Sequence, residues 1–466
     1  MKRGFSTLEL LIAFAIGSLI IVAVVSIAFG AQYWLIASQT SGEALYKAKT
    51  MLEDMRSSAA QSFELASSSP YQADDDCGTG TLCYYLESVV TDLSPCSKEA
   101  AAKVEWRIQG YGSTSTELHT SLADPNAIVS LGSDCPLAEP SGDWESTDDD
   151  TTGGILGTPR GLDTFDGITY IVTNQAPYLF IVDENGDSVS FTNGFTEIVP
   201  LNDIDVARDQ STGRLYAYVA REDPLAQLGI IEVTNPATPT AAATPFKLPD
   251  SGNAGFRVTV YARVAYVSTF DIGGREFTAV DVATPSFPVE LGSADINTTA
   301  YDVVVRDEYV SGARKTLAYL ATPSDDRVLQ VWDVDDPDNM FERAAGPSGV
   351  DKDGRSVFLS GNKAYVGLES GTGDDLYMLD ISRIASGIVT LDSAELGGSA
   401  TAVRVSGDFA FVARTTGTDA LVILNASTLD EIDTRGISNY ADACLDLDGD
   451  TLYAASNGTL HRITSP

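Results

Sequence analysis

The sequence predicts an α+β N-terminal module, made of a long N-terminal helix and a small β-meander, followed by an all-β seven-bladed propeller. Three observations support this fold class. Residues 10–31 form an uncharged, proline-free apolar run. The chain then keeps apolar residues at helical spacing to about residue 58. From about residue 155, a pattern of short strands repeats every 40–50 residues to the end of the sequence.

The apolar run is long enough to cross a bilayer as a helix, because about 20 residues at roughly 1.5 Å each span the hydrocarbon core. Glu9 stands at its front edge, where a carboxylate is costly unless it finds a partner. No small-residue cleavage site follows the run, so it differs from an ordinary secretory signal. We therefore expect Glu9 to have a specific use.

Helical periodicity continues beyond the run, and the first proline of the chain is Pro70. Apolar residues recur at i, i+3 and i+4 spacing, at Leu45, Ala48, Leu52 and Met55. We expect one helix over residues 5–58, with residues 5–35 in a membrane or in the core of a filament.

The segment Gly4-Phe5, with Glu9 five positions into the cleaved chain, resembles the class III signal of type IV pilins and type II secretion pseudopilins. The resemblance covers residues 1–60. It implies that a prepilin peptidase removes the leader 1–4 between Gly4 and Phe5, that Phe5 is N-methylated, and that the precursor is held in the inner membrane. It also implies that Glu9 meets the N-terminal amine of a neighbouring pilin subunit. A plain single-pass anchor is the alternative, and it has no need of this spacing.

Acidic residues number 66 against 29 basic ones, giving a formal charge of −37. Such a surface repels phosphate backbones and anionic lipid headgroups, so nucleic acid is not expected as a partner. A well-solvated extracellular surface is the simplest interpretation of this charge.

Residues 59–141 are predicted to form a small disulfide-braced β domain, and the polar stretch 142–153 a linker. Four cysteines in this region suggest an oxidising compartment. Of their three pairings we favour two adjacent bridges, Cys77–Cys83 and Cys96–Cys135. Cys444 is left over, and we expect it to be a buried thiol.

The repeats of residues 154–466 each contain a strand with a central aromatic residue. These residues are Tyr170, Tyr218, Tyr266, Tyr319, Tyr365, Phe411 and Tyr453. Seven such units predict seven blades. Because the aromatic recurs at one strand position, packing between blades explains it better than a ladder for stacking sugars.

A second apolar strand follows in most repeats and ends in an acidic residue, as in Ala279-Val280-Asp281 and Met378-Leu379-Asp380. This pattern resembles the LVIVD-repeat propellers of bacterial surface proteins. The last repeat stops too early for an outermost strand, so residues 154–158 are predicted to complete blade seven.

The acidic residues suggest two possible roles, calcium binding and glycosidase catalysis. Asp446, Asp448 and Asp450 offer oxygen ligands for calcium, although Asp-Gly sequences are equally favoured in hairpin turns. Asp205, Asp302 and Asp446 lie on predicted innermost strands, where a pair of carboxylates could serve a glycosidase. Pairing with arginines such as Arg257 or Arg404 is the simpler interpretation. We expect neither catalysis nor a required cofactor.

These observations predict a minor, tip-located type IV pilin that displays a propeller for adhesion to a surface protein or a glycan. The precursor would lie in the inner membrane, and the mature chain in an extracellular filament. The alternatives are a decorated major pilin, a type II secretion pseudopilin and a propeller hydrolase on a pilin-like anchor.

Overall fold

The computed structural model describes residues 40–59, 68–73, 82–94, 97–108, 112–123, 144, 148–183, 188–190, 199–209, 211–249, 253–270, 274–310, 313–382, 384, 387–415, 420–437, 440–448, 451–456 and 458–465. The chain divides into two compact units. One comprises residues 1–61, 66–90 and 99–121, and the other comprises residues 62–65, 91–98 and 122–466.

The first unit contains a helix, α1, over residues 40–59, and one antiparallel sheet. Its strands lie in chain order, β1 (Ser69–Ala73), β2 (Leu82–Ser94), β3 (Ser97–Ile108) and β4 (Gly112–Ala123). One face of α1 is buried, with Ala44, Ala48, Leu52, Met55 and Ala59 along it. Alternate residues of β3 are buried as well, as expected for a sheet with one covered face.

The predicted α+β class with a long N-terminal helix is wrong for the described chain, which is nearly all strand apart from α1 and a short 3-10 turn. Residues 5–39 lie outside the described residues. Of the residues predicted for the apolar face of the helix, Ala48, Leu52 and Met55 are buried as expected, whereas Leu45 is 49% exposed and Ala44 is buried in its place. In the part of the chain that is described, no helix is sufficiently long and apolar to span a membrane.

The second unit contains seven four-stranded antiparallel sheets, which we call blades one to seven. Blade one holds β6 (Pro159–Phe165), β7 (Ile168–Thr173), β8 (Leu179–Val182) and β9 (Ser188–Ser190). Blade two holds β10 (Leu201–Arg208), β11 (Leu215–Arg221), β12 (Leu228–Glu232) and β13 (Thr240–Ala241). Blade three holds β14 (Gly255–Tyr261), β15 (Val264–Thr269), β16 (Phe277–Asp281) and β17 (Val289–Ala294).

Blade four holds β18 (Asp302–Val310), β19 (Ala313–Ala321), β20 (Leu329–Asp333) and β21 (Phe341–Gly346), with a 3-10 turn at Pro337–Asn339. Blade five holds β22 (Gly354–Ser360), β23 (Lys363–Leu368), β24 (Leu376–Asp380) and β25 (Val389–Ala394). Blade six holds β26 (Ala400–Ser406), β27 (Phe409–Arg414), β28 (Leu421–Asn425) and β29 (Glu431–Arg435). Blade seven holds β30 (Tyr440–Asp448), β31 (Thr451–Ser456) and β32 (Thr459–Thr464), with β5 (Asp148–Gly153) as its fourth strand.

The blades form a closed ring, because the first strand of each blade contacts the first strand of the next, and β30 of blade seven contacts β6 of blade one. This arrangement is that of a β-propeller-like domain, with the seven first strands innermost.

Closure is made by β5, which pairs antiparallel with β32 from Thr459 opposite Gly153 to Thr464 opposite Asp148. The prediction that residues 154–158 form this strand was wrong, and so was the linker assignment of residues 148–153. The outer strand needs only backbone hydrogen bonds on its inner side, so the polar run Asp148–Gly153 can supply it. Ile155 instead packs into the core beside blade seven.

The recurring aromatic residues are 0–6% exposed, which confirms their prediction as core residues. Adjacent blades cover both faces of each sheet, so the third strands are buried almost throughout, as in β12 and β20. The acidic residue that ends several third strands caps the following turn. For example, the Asp281 side chain accepts a hydrogen bond from the Ala283 amide at 2.8 Å.

Candidate functional site

Carboxylates on the inner strands join neighbouring blades at several places around the ring. In each case the side chain on one blade accepts a hydrogen bond from a backbone amide on the next blade. The pairs are Asp163 with Val206, Asp203 with Val258, Asp205 with Val260, Asp302 with Val357, Asp446 with Thr164, and Asp448 with Gly167. The last two pairs join blade seven to blade one.

The three carboxylates weighed for catalysis all belong to this set. Asp205 and Asp302 accept their amide hydrogen bonds at 2.8 Å. Asp446 is fully buried, accepts the Thr164 amide at 2.9 Å and is paired with the Arg404 Nε at 3.2 Å. These hydrogen bonds assign the three side chains to contacts between blades, and the expected pairing with an arginine is seen for Asp446.

The innermost strands of the ring line a central channel. Two carboxylates on these strands have raised pKa values. Burial raises the pKa of Asp203 to about 6, although Arg257 opposes the shift. Burial also raises the pKa of Asp205 to about 7, with added repulsion from Asp203 and Asp446. Like charges in a poorly solvated channel disfavour one another. The inner channel is therefore a region where negative charge is already crowded.

Asp446 and Asp448, two of the proposed calcium ligands, accept hydrogen bonds from blade one, and Asp450 lies outside the described residues. The described part of the chain contains no group of three or more His, Cys, Asp or Glu side chains arranged to hold a metal ion. The hairpin between β30 and β31 follows these residues, in line with the turn interpretation.

A different cluster lies at the end of the channel where the inner strands begin. We call it the arginine–aromatic mouth and define it by Arg160, Phe256, Phe270, Tyr301 and Arg355. The Phe256 ring centroid is 4.4 Å from that of Phe270 and 5.5 Å from that of Tyr301. The Arg355 guanidinium lies 4.4 Å from the Tyr301 ring centroid. Phe270 remains 39% exposed.

Ion pairs flank the aromatic residues on both sides. Arg160 pairs with Glu222 and also donates to the Asn202 side-chain oxygen. On the other side, Arg355 pairs with Glu369 at 3.0 Å and lies 3.8 Å from Asp353. Burial, followed by the neighbouring Glu369, raises the pKa of Asp353. The mouth therefore presents donors and acceptors next to each other.

Arg257 supports the mouth from below. Its Nε donates to the Tyr301 carbonyl at 2.6 Å, and its Nη1 donates to the Asn202 carbonyl at 3.1 Å. Its guanidinium also lies 4.6 Å from the Phe256 ring centroid. Because this arginine is buried and bonded to two neighbouring blades, Phe256 and Tyr301 are held by strands and not by mobile loops alone.

The opposite end of the channel differs. There the inner strands end in ion pairs, such as the exposed pair Arg208–Asp166 at 2.6 Å and the pair Arg263–Asp209 at 3.1 Å, whose carboxylate is buried. Arg208 covers Phe165, but that ring is buried. Among the described residues, the cluster of partly exposed rings is at the end where the strands begin.

Sequence reasoning missed the mouth, although a signal was present. Arg160, Asn202, Phe256, Tyr301 and Arg355 each lie three positions before the inner-strand residue that faces the recurring aromatic. Aligning the inner strands on that aromatic would have placed these residues in one ring. The isolated residues carry no motif, because they come from five different blades or blade connections.

The other predicted sites are only partly described. Gly4, Phe5 and Glu9 lie outside the described residues, as do Cys77, Cys96 and Cys135. Cys83 is disulfide-bonded, and its pairing stays a prediction. Cys444 is a buried thiol in the core cluster to which blades six, seven and one contribute.

A repeat family and the structure of U3-55K support the propeller-like fold. The LVIVD repeat family matches residues 397–427, which include β26, β27 and β28 of blade six. No curated protein matches the chain. The structure of U3-55K is similar with a TM-score of 0.50 and 12% identity, covering 70% of this chain and all of that one. The computationally designed Ika8 protein is similar with a TM-score of 0.45 and 10% identity, covering 71% of this chain and all of that one.

Proposed function

We propose that this chain is a type IV pilin-like subunit, minor and located at the filament tip, whose propeller recognises a surface ligand through the arginine–aromatic mouth. The observation that carries the recognition role is the contact series Phe270–Phe256–Tyr301–Arg355 at one end of the channel. Aromatic and arginine side chains that keep some exposure are the residues most often used as binding anchors.

The filament role is supported by the sequence Gly4-Phe5 with Glu9 and the uncharged run that follows. In such a subunit, a prepilin peptidase and other pilin subunits are the partners in assembly. The precursor lies in the inner membrane, and the mature protein in an extracellular filament. The acidic surface keeps the displayed domain soluble and apart from nucleic acid.

The assembly role is tested by mass spectrometry of the mature N-terminus and by counting filaments. We expect a chain that begins at N-methylated Phe5. Glu9→Ala should be processed normally but should assemble poorly. A mature chain that begins at Met1, or normal filaments from Glu9→Ala, would contradict the assembly role.

The recognition role is tested by attachment of cells that express Tyr301→Ala. We expect attachment to fall while filament number stays unchanged. The matched control is Phe287→Ala, because Phe287 is 75% exposed and lies between β16 and β17, away from the mouth. Equal attachment by both variants would reject the mouth as the recognition surface.

A further inference from the structure

We infer that the arginine–aromatic mouth binds a neutral oligosaccharide. This inference rests on the proposed recognition role and specifies its ligand class. It follows from three properties of the mouth, namely the exposed rings, the paired charges beside them and the sign of the surrounding field.

The rings provide a surface for the carbon-bound hydrogens of a sugar. The face of an aromatic ring carries partial negative charge, which attracts the weakly positive C–H face of a pyranose. Phe270 and Phe256 are in contact but tilted by 48°, and Tyr301 is tilted by 65° to Phe256. Because the Tyr301 contact is edge-on, the three rings form a non-planar platform, which suits a short chain of sugar rings better than one flat heterocycle.

The ion pairs beside the platform match vicinal hydroxyl groups. A hydroxyl both donates and accepts hydrogen bonds, and so requires a donor and an acceptor within reach. Arg355 with Glu369 offers this combination on one side, and Arg160 with Glu222 offers it on the other. The exposed fractions of the Arg355 and Glu369 side chains are 26% and 45%, so a ligand can reach both.

The charges of the protein favour a neutral sugar over an acidic or a cationic ligand. The formal charge of −37 and the crowded channel carboxylates oppose a polyanion such as an acidic glycan. Cationic peptides would be attracted by the field, but the like-charged guanidinium groups of Arg257 and Arg355 beside the rings oppose them. A neutral ligand is repelled by neither the acidic field nor the arginines.

The test uses purified full-length protein in detergent and measures dissociation constants for three kinds of probe. These are neutral hexasaccharides of glucose, galactose, mannose or N-acetylglucosamine, the acidic hexamer of galacturonic acid, and hexalysine. We expect at least one neutral hexasaccharide to bind, with little change between low and high salt. Tyr301→Ala and Phe270→Ala should each weaken binding at least about tenfold, while Phe287→Ala should leave it unchanged.

Thermal melting of each variant separates loss of binding from loss of folding, and Arg355→Lys gives a second measure. Lysine keeps the charge but loses the planar fork, so we expect Arg355→Lys to bind more weakly without unfolding. Failure of every neutral probe, or binding that the mouth variants do not change, would overturn the inference. Binding of hexalysine or the acidic hexamer that the mouth variants abolish would also overturn it, while the proposed recognition role would stand.

Discussion

The Asp446 carboxylate accepts a hydrogen bond from the Thr164 backbone amide at 2.9 Å, although 282 positions separate the two residues in the sequence. Asp446 is fully buried, and its second oxygen faces the Arg404 Nε. This contact joins the last blade to the first through their innermost strands. The pairing of β5 with β32 closes blade seven at its outer edge, so the ring is held at both its inner and its outer strands.

Asp446→Ala should therefore destabilise the propeller by about 3 kcal/mol, because it leaves Arg404 and a buried amide without their shared acceptor. Chemical denaturation measures this change. The control is Asp150→Ala, which removes a 78% exposed partner of Arg462 and should cost less than about 1 kcal/mol. Similar losses for the two variants would show that the inner contact does not stabilise the ring.

Deleting residues 148–153 should lower the melting temperature by an amount on the order of 5 °C, because β32 loses its outer partner. The deletion also exposes the β32 edge, which favours pairing between copies of the chain. Calorimetry measures the first effect, and size-exclusion chromatography the second. A deletion variant that melts like the intact chain would contradict closure by β5.

Gly354→Ala should destabilise the protein by about 1–3 kcal/mol. A Cβ at this position would come within 2.5 Å of the Val328 carbonyl oxygen and 3.0 Å of the Thr322 carbonyl oxygen, and neither backbone atom can move freely. Gly153→Ala is the matched control, since its nearest neighbour is the Gly458 carbonyl oxygen at 3.9 Å. Denaturation of both variants should reveal a loss only for Gly354→Ala.

Asp205 should make the stability of the propeller fall as the pH rises. Its folded pKa of about 7 exceeds the ordinary value of 3.8, so the folded state binds the proton more tightly than the unfolded state. The resulting stabilisation is complete below about pH 4 and is lost as the pH rises through about 7. Asp205→Asn should therefore melt at a higher temperature than the wild type at pH 8, and this difference should shrink as the pH falls towards 4. A constant difference between the two proteins across this range would refute the assignment.

The repeat architecture could be predicted from the sequence because each blade repeats the same burial pattern. A tyrosine or phenylalanine at one strand position is buried in every blade, and that regularity survives differences in loop length. The closing strand could not be found in this way. Asp148–Gly153 pairs through its backbone and has no apolar alternation. Residues 154–158 look more like a strand in sequence, but their Ile155 packs into the core.

The mouth was harder to predict because no single blade contains it. Phe256 and Tyr301 come from the start of blade three and the residue before blade four, and Arg355 reaches Tyr301 from blade five. Their meeting depends on the ring bringing consecutive inner strands together at one end. In the first turn of α1 the prediction chose Leu45 where Ala44 is buried, since both residues fit an apolar pattern until the covering sheet is known.

The proposed function requires above all that the mouth is the surface that recognises the ligand. Competition of purified full-length protein against attachment of expressing cells tests this most directly, measured as the protein concentration that halves attachment. We predict equal values for the wild type and Phe287→Ala, and a value at least about tenfold higher for Tyr301→Ala. Equal competition by all three proteins would contradict the account.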